Sequence, residues 1–258
     1  MRQSVKRTAK RALAACGIDV SRRGSVPRSL REVLSQVSGR GVEPATVIDV
    51  GVAFGTFELY EAFPRARHLL VEPIAEYEGA LRELADRHGA EYVLAAAGAE
   101  PGTTRLNVHR VPACSSTLGE RRGDRVQGEP RDVPVVRIDD LCEERDLPPP
   151  YLIKVDVEGA ELEVLAGAAR IIERTEVVLL EASLFQFWPD APQLHDLVAF
   201  MKERGFVVYD IFGGHLRPVD GALAQVDLAF AREDGPLRRE HRYATEEQAD
   251  QLYRSWGL

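Results

Sequence analysis

Hydrophobic and polar positions alternate along this chain in two rhythms, and the switch between them marks the elements. Short β-branched or aliphatic runs recur at 46–50, 68–72, 91–96, 151–156, 175–181, 206–211 and 225–231, each the length of a buried strand. Between them the spacing turns helical, near 55–62, 75–88, 138–145, from Ala160 onward and over 191–204. Strand and helix alternating in this way predict a parallel sheet with crossover helices on both faces. Residues 103–138 break the rhythm. Two further runs, 104–108 and 133–138, bracket a polar loop at 112–130, which is long enough to serve as a substrate lid or to lack order. Ahead of the sheet, residues 29–37 place Leu30, Val33, Leu34 and Val37 on one helical face. The pattern divides the chain into an N-terminal helical extension (1–43), a catalytic domain (44–232) and a polar tail (233–258). That tail ends in the apolar residues Leu252, Tyr253 and Trp256.

Composition narrows the setting. At 258 residues and 45% hydrophobic, the chain supports one full core, and no apolar run is long enough to span a bilayer. Cys16, Cys114 and Cys142 form neither a C-x-x-C pair nor an even set, which fits a reduced, cytoplasmic setting. No apolar signal-peptide core follows the charged N-terminus. The net charge of −8 is unevenly spread: residues 1–31 hold nine Lys or Arg against Asp19, so the remainder carries −16. That excess argues against a nucleic-acid grip on the main body. Residues 1–16 read as a basic helix packed on the domain or on the partner subunit of a homodimer. An anionic membrane surface or acidic substrate is the weaker alternative. Residues 24–27 read as a linker.

The chemistry concentrates around Thr46-Val-Ile-Asp-Val-Gly-Val-Ala-Phe-Gly55. A strand, two glycines and a helix leave backbone N–H groups open where a nucleotide-like ligand approaches. Twenty-three residues beyond Asp49, Glu72 closes the second strand, the position from which such folds hold a ribose diol. The dehydrogenase pattern G-x-G-x-x-G is absent, since position 53 is Ala and position 56 is Thr. Together with Val71-Glu72-Pro73 and Ile153-Lys-Val-Asp-Val-Glu-Gly-Ala-Glu161, the glycine segment resembles the FkbM-type S-adenosylmethionine-dependent methyltransferases over about residues 45–231. The second of these segments is the more specific.

That resemblance implies a three-layer, Rossmann-like class I methyltransferase fold. Its mostly parallel seven-stranded sheet would carry an inserted β-hairpin, and methyl transfer would run to an oxygen nucleophile. It implies that Asp49, Gly51 and Gly55 shape the pocket for the cofactor's amino-acid end. Glu72 would hold the ribose, Ala97 would lie near the adenine, and Ser115 and Ser116 would belong to a loop near the cofactor or substrate. Asp156 would stand beside the reacting centre. Many members have Asn where this chain has Ala53, so a side-chain hydrogen bond there is missing or supplied elsewhere. The acceptor implied is a sugar or secondary-metabolite (polyketide-like) hydroxyl.

Attack by a hydroxyl on an activated methyl needs alignment and a nearby proton acceptor. Asp156 is the favoured base, with His109 and His195 as further candidates. Glu158, Glu181 and the aromatic segment around Trp188 are candidate acceptor contacts. Glu181 with Asp156 supplies two oxygens toward a divalent cation such as Mg²⁺, too few to define a metal site. Two other functions compete: a serine hydrolase built on Ser115 or Ser116, without the G-x-S-x-G elbow, and a non-catalytic cofactor-binding regulator or scaffold.

Overall fold

The computed structural model describes residues 28–119, 121–123 and 128–256. The basic helix expected at 1–16 and the linker at 24–27 lie outside the described residues. A capping box between Ser29 and Glu32 starts helix α1 (Leu30–Gly39). Five strands and two helices follow, alternating as far as the third strand: β1 (Thr46–Val50), α2 (Phe57–Ala62), β2 (Arg67–Val71), α3 (Glu78–His88), β3 (Glu91–Val93), β4 (Ala96–Ala97) and β5 (Gly102–Val108). After the loop come β6 (Glu129–Val136), α4 (Ile138–Glu144), β7 (Tyr151–Val155), α5 (Glu161–Ala166), α6 (Ala169–Ile172) and β8 (Thr175–Ser183). The chain closes with α7 (Leu194–Glu203), β9 (Phe206–Leu216), β10 (Leu223–Arg232) and α8 (Glu246–Trp256).

Seven strands form one sheet in the order β3-β2-β1-β7-β8-β10-β9, parallel except for β10, which runs antiparallel to both neighbours. Because side chains alternate along each strand, the sheet divides the core in two. Ile48, Val50, Ile153, Val155, Val178 and Leu180 face the layer holding α4 to α7. Val47, Leu70, Leu152, Val177 and Leu179 face α1, α2 and α3. Both faces are covered, which is why these strands read as mostly apolar runs, broken by single polar residues such as Asp49 and Lys154. The fold is the expected three-layer α/β arrangement, and the ends of β1 and β7 meet at its centre.

Several boundaries differ from the sequence expectation, for local reasons. The run 91–96 is two strands: after Val93 the chain leaves the main sheet, and Ala96–Ala97 pair with β6 in a second, three-stranded sheet ordered β4-β6-β5. The hairpin of β5 and β6 is longer than expected, because its register runs from Gly102↔Val135 to Val108↔Glu129. The helix begun at Ala160 breaks at Gly167, where an added Cβ would lie 2.0 Å from the Gly98 carbonyl oxygen. Helix α1 buries Val33, Leu34 and Val37 in the same core as β1, so this part of the extension is built into the sheet domain. The polar tail holds a helix, α8, with no buried residue. No helix among the described residues is long and apolar enough to cross a membrane.

Candidate functional site

The turn after β1 is shaped by what lies above and below it. Gly51 has φ +79, and a Cβ there would fall 1.8 Å from the Asp156 carbonyl oxygen, so only glycine lets β1 and β7 end this close together. Ala53 also sits in the left-handed region, at φ +47, a conformation costing an alanine about 1–2 kcal/mol. Its N–H donates to Glu72 Oε2 at 2.9 Å, and the Ile74 N–H donates to Oε1 at the same distance. Glu72 is thus 3% exposed yet held by two backbone donors in a fixed orientation. Burial pushes its carboxyl up from the usual range, and the two N–H bonds oppose that rise.

Glu72 lines a cleft at the ends of β1, β2 and β7. Gly51, Ala97, Ser115, Ser116, Asp156 and Glu158 line it too, so most of the sequence-predicted cofactor residues converge there. Ile74, Tyr77 and Leu106 give it an apolar wall. Ser116 Oγ donates to the Glu158 carbonyl oxygen at 2.7 Å and ties the loop to the turn after β7.

A second chamber adjoins the cleft and shares Gly51, Ala53 and Asp156 with it. Its floor is ionic. Lys154 Nζ lies 2.9 Å from Asp156 Oδ2 and 3.5 Å from Asp49 Oδ1, and Asp49 is its direct neighbour across the β1–β7 ladder. Burial disfavours the Lys154 charge, but the Asp156 and Asp49 carboxylates outweigh it and hold the ammonium above the usual lysine range. Asp49 in turn accepts a 2.6 Å hydrogen bond from the Tyr60 hydroxyl. Glu181 and Asp227, also lining the chamber, stand directly opposite each other in the β8–β10 ladder. Like charges so placed repel. Burial and the nearby Asp156 charge push Glu181 up to about 9, Asp227 to about 6 and Glu158 to about 7. Glu161, buried beside them and accepting from Gly159 N, is pushed up to about 8, chiefly by burial.

Carboxyls that bind protons more tightly folded than unfolded make the protein lose stability as pH rises from the unfolded value, near 4.5, through the folded one. Stability is therefore expected to fall between about pH 5 and pH 9. Glu181→Gln should flatten that slope and raise Tm at the alkaline end by about 2–4 °C or more, the equivalent of about 1 kcal/mol. Thermal melts across the range check this; an unchanged slope in the variant would show that Glu181 is not strained by its neighbours.

Residues 49–208 match the family described as the methyltransferase FkbM domain. The chain belongs to that family of S-adenosylmethionine-dependent methyltransferases. Among solved structures, precorrin-6y C5,15-methyltransferase from Geobacter metallireducens GS-15 is similar at 14% identity. The match covers 84% of this chain and 94% of that one, with a TM-score of 0.41. Magnesium protoporphyrin IX methyltransferase from Synechocystis PCC 6803, solved with bound S-adenosylmethionine, is similar at 11% identity, covering 78% and 79% of the two chains at a TM-score of 0.41. No match is found among the curated proteins.

The cleft of this FkbM methyltransferase fits its cofactor. Gly51 leaves room at the turn, Glu72 offers an ionisable pair of acceptors fixed by backbone bonds, and the opposite wall is apolar. Other sequence expectations need correcting. Asp49 lines neither cavity: it is fully buried under the turn, spent on Tyr60 and Lys154, and supports the site from below. Gly55 lines the second chamber instead, at φ +106, where a Cβ would meet Leu84 at 2.7 Å.

His109 and His195 line neither cavity. His109 Nδ1 accepts from the Val111 N–H and so organises the loop entrance. His195 lies 72% exposed on α7, because that helix buries Leu197 and Met201 and turns His195 to solvent. Trp188 is 2% exposed and packs edge-on against Phe187, leaving no ring face for an acceptor. The serine-nucleophile alternative loses its geometry. Ser116 donates to a carbonyl, and Ser115 Oγ bonds the backbone N–H of His109 rather than its ring. Among the described residues no three His, Cys, Asp or Glu side chains converge at metal-binding spacing.

Lys154, Tyr60 and Asp227 were missed from the sequence. A signal existed for the first: Ile48-Asp49-Val50 and Ile153-Lys154-Val155 have the same pattern at the same distance from their turns, which predicts a charged pair across adjacent strands.

Proposed function

We propose that this protein transfers the methyl group of S-adenosylmethionine to a hydroxyl of a small sugar-like or secondary-metabolite acceptor. The observation that carries this reading is the carboxylate-lined chamber, which opens beside the cleft and shares Asp156 with it. Bound cofactor supplies a methyl group already activated on a sulfonium sulfur. The chain's own work is then to orient an oxygen and accept its proton. Glu72 holds the ribose hydroxyls, Ile74, Tyr77 and Leu106 flank the adenine, and the open backbone at Gly51 admits the amino-acid end. Asp156 Oδ2 is taken by Lys154, which leaves Oδ1 to receive the acceptor hydroxyl and, as the carbon–oxygen bond forms, its proton.

Glu181 and Asp227, with raised proton affinity, either donate to or accept from further hydroxyls of a polyol. A floor of carboxylates repels a phosphodiester backbone, which favours a small acceptor over RNA or DNA. Incubation with methyl-labelled S-adenosylmethionine and a panel of hydroxylated glycosides and polyketides tests the reading. Label in an acid- and base-stable ether supports it; label in an ester, an amine or no product at all opposes it.

Glu72→Ala is expected to weaken S-adenosylmethionine binding by about 1.5–3 kcal/mol, the scale of hydrogen bonds to a charged group. Calorimetry on the folded variant checks it. Unchanged affinity would remove Glu72 from the cofactor site.

A further inference from the structure

The glycine turn carries an aromatic ring that the cofactor reading leaves unused. Phe54, between Ala53 and Gly55, is 71% exposed, and of the exposed large apolar residues among those described it alone lines the cleft or the chamber. A single exposed phenylalanine needs no explanation by itself. This one is held still. On one side of it the Ala53 N–H donates to Glu72 at 2.9 Å. On the other, the Gly55 N–H donates to the Val52 carbonyl oxygen at 2.7 Å and the Thr56 N–H to the Tyr60 hydroxyl at 3.1 Å. The ring itself meets Tyr77 edge-to-face, with centroids 4.8 Å apart and planes at 82°. A pinned backbone and one edge contact leave the ring ordered and most of its surface uncovered, so little further order is needed when a ligand meets it.

The other groups of the chamber define what fits against that ring. Asp156, Glu181 and Asp227 line the same space and offer oxygen atoms to hydroxyl groups, while Leu30 and Phe212 add apolar wall. A pyranose ring carries hydroxyls around its rim and bare C–H bonds on its faces. Those C–H bonds, slightly positive, pack against the negative face of an aromatic ring while the rim hydroxyls reach the carboxyls. An open-chain polyol has the same hydroxyls but no flat face to lay down. It also loses more freedom when it is ordered in a site.

We infer that Phe54 is the specificity-determining contact for the acceptor, stacking on the C–H face of a pyranose-like ring and so setting one of its hydroxyls beside Asp156. This rests on the hydroxyl-methylation reading and adds to it the shape of the acceptor and the residue that reads it. Phe54 takes no part in proton transfer, so its loss mainly raises KM for the acceptor.

Calorimetry on the whole protein saturated with S-adenosylhomocysteine tests this. The probes are the methyl pyranosides of glucose, galactose, mannose and rhamnose, each set against its open-chain alditol. At least one pyranoside is expected to bind about tenfold or more tighter than its alditol, the scale of one aromatic contact and the area it covers. Phe54→Ala and Phe54→Leu should lose that preference, since neither has a ring face, and Phe54→Tyr should keep it. S-adenosylhomocysteine affinity should be unchanged in all three variants, which certifies their fold.

If no pyranoside binds tighter than its alditol, if the preference survives in Phe54→Ala and Phe54→Leu, or if Phe54→Tyr loses it as fully as they do, the inference is overturned. It is also overturned if Phe54→Ala weakens S-adenosylhomocysteine as much as the pyranoside, which would make Phe54 a cofactor contact. A ring preference carried by Phe54, with methyl transferred to no hydroxyl, would overturn the hydroxyl-methylation reading alone. Methyl ethers formed on alditols as readily as on pyranosides, in the parent and in Phe54→Ala, would overturn this inference alone.

Discussion

Asp156→Asn is expected to lower the methyl-transfer rate by roughly 10²–10⁴-fold while leaving cofactor affinity nearly unchanged. The carboxylate lies where the two cavities meet, with its side chain 42% exposed and one oxygen held by Lys154. An asparagine keeps that shape. Its carbonyl oxygen would turn to the Lys154 ammonium and present the NH₂ group to the incoming hydroxyl. Such a group donates and cannot take a proton. Single-turnover kinetics with saturating cofactor check the result. Near-normal turnover would move the base to Glu158, Glu181 or Asp227, three carboxylates that line these spaces with raised proton affinity.

The second large effect is on stability. Lys154→Met is expected to destabilise the protein by about 3–5 kcal/mol, because removing one partner leaves buried carboxylates without their counter-charge. Asp49 is fully buried and Asp156 and Asp227 lie close by, so their mutual repulsion is released at the centre of the sheet. Adding Asp49→Asn to the variant should recover part of the loss, since the amide still accepts from Tyr60 and no longer carries charge. Urea unfolding of the two variants measures both steps. A Lys154→Met protein as stable as the parent would mean that Lys154 does not organise the site.

The strands of the main sheet were legible because both faces are buried, so β1, β2, β7 and β8 are mostly apolar, broken by single polar residues such as Asp49 and Lys154, and have Gly or an acidic residue at or near their ends. Glu72 and Gly51 were legible for the same reason: each follows a strand whose end is visible. Trp188 was not, since an aromatic residue in a polar context reads the same whether it packs inward or lines a groove. His195 was misjudged because the helix phase, set by Leu197 and Met201, decides where it points.

The acidic floor was only half visible. Glu181 and Asp227 face each other through the register of an antiparallel pair separated by a helix and a strand, and no local pattern fixes that register. Tyr60 reads as a core aromatic on α2, and its role depends on Asp49 being turned away from the cleft. A groove beside Phe185 needs four separate stretches to converge, 121–123, 185–187, 215–219 and 224–225. Only tertiary packing brings them together.

A crystal structure of the protein with S-adenosylhomocysteine bears most directly on the central claim that the cleft holds the cofactor and aims it into the acidic chamber. The expected result has both ribose hydroxyls on the Glu72 carboxylate, the adenine between Ile74 and Leu106, and the sulfur facing Asp156 across the shared edge at Gly51. A ribose bound away from Glu72, or a sulfur turned from the chamber, would contradict it.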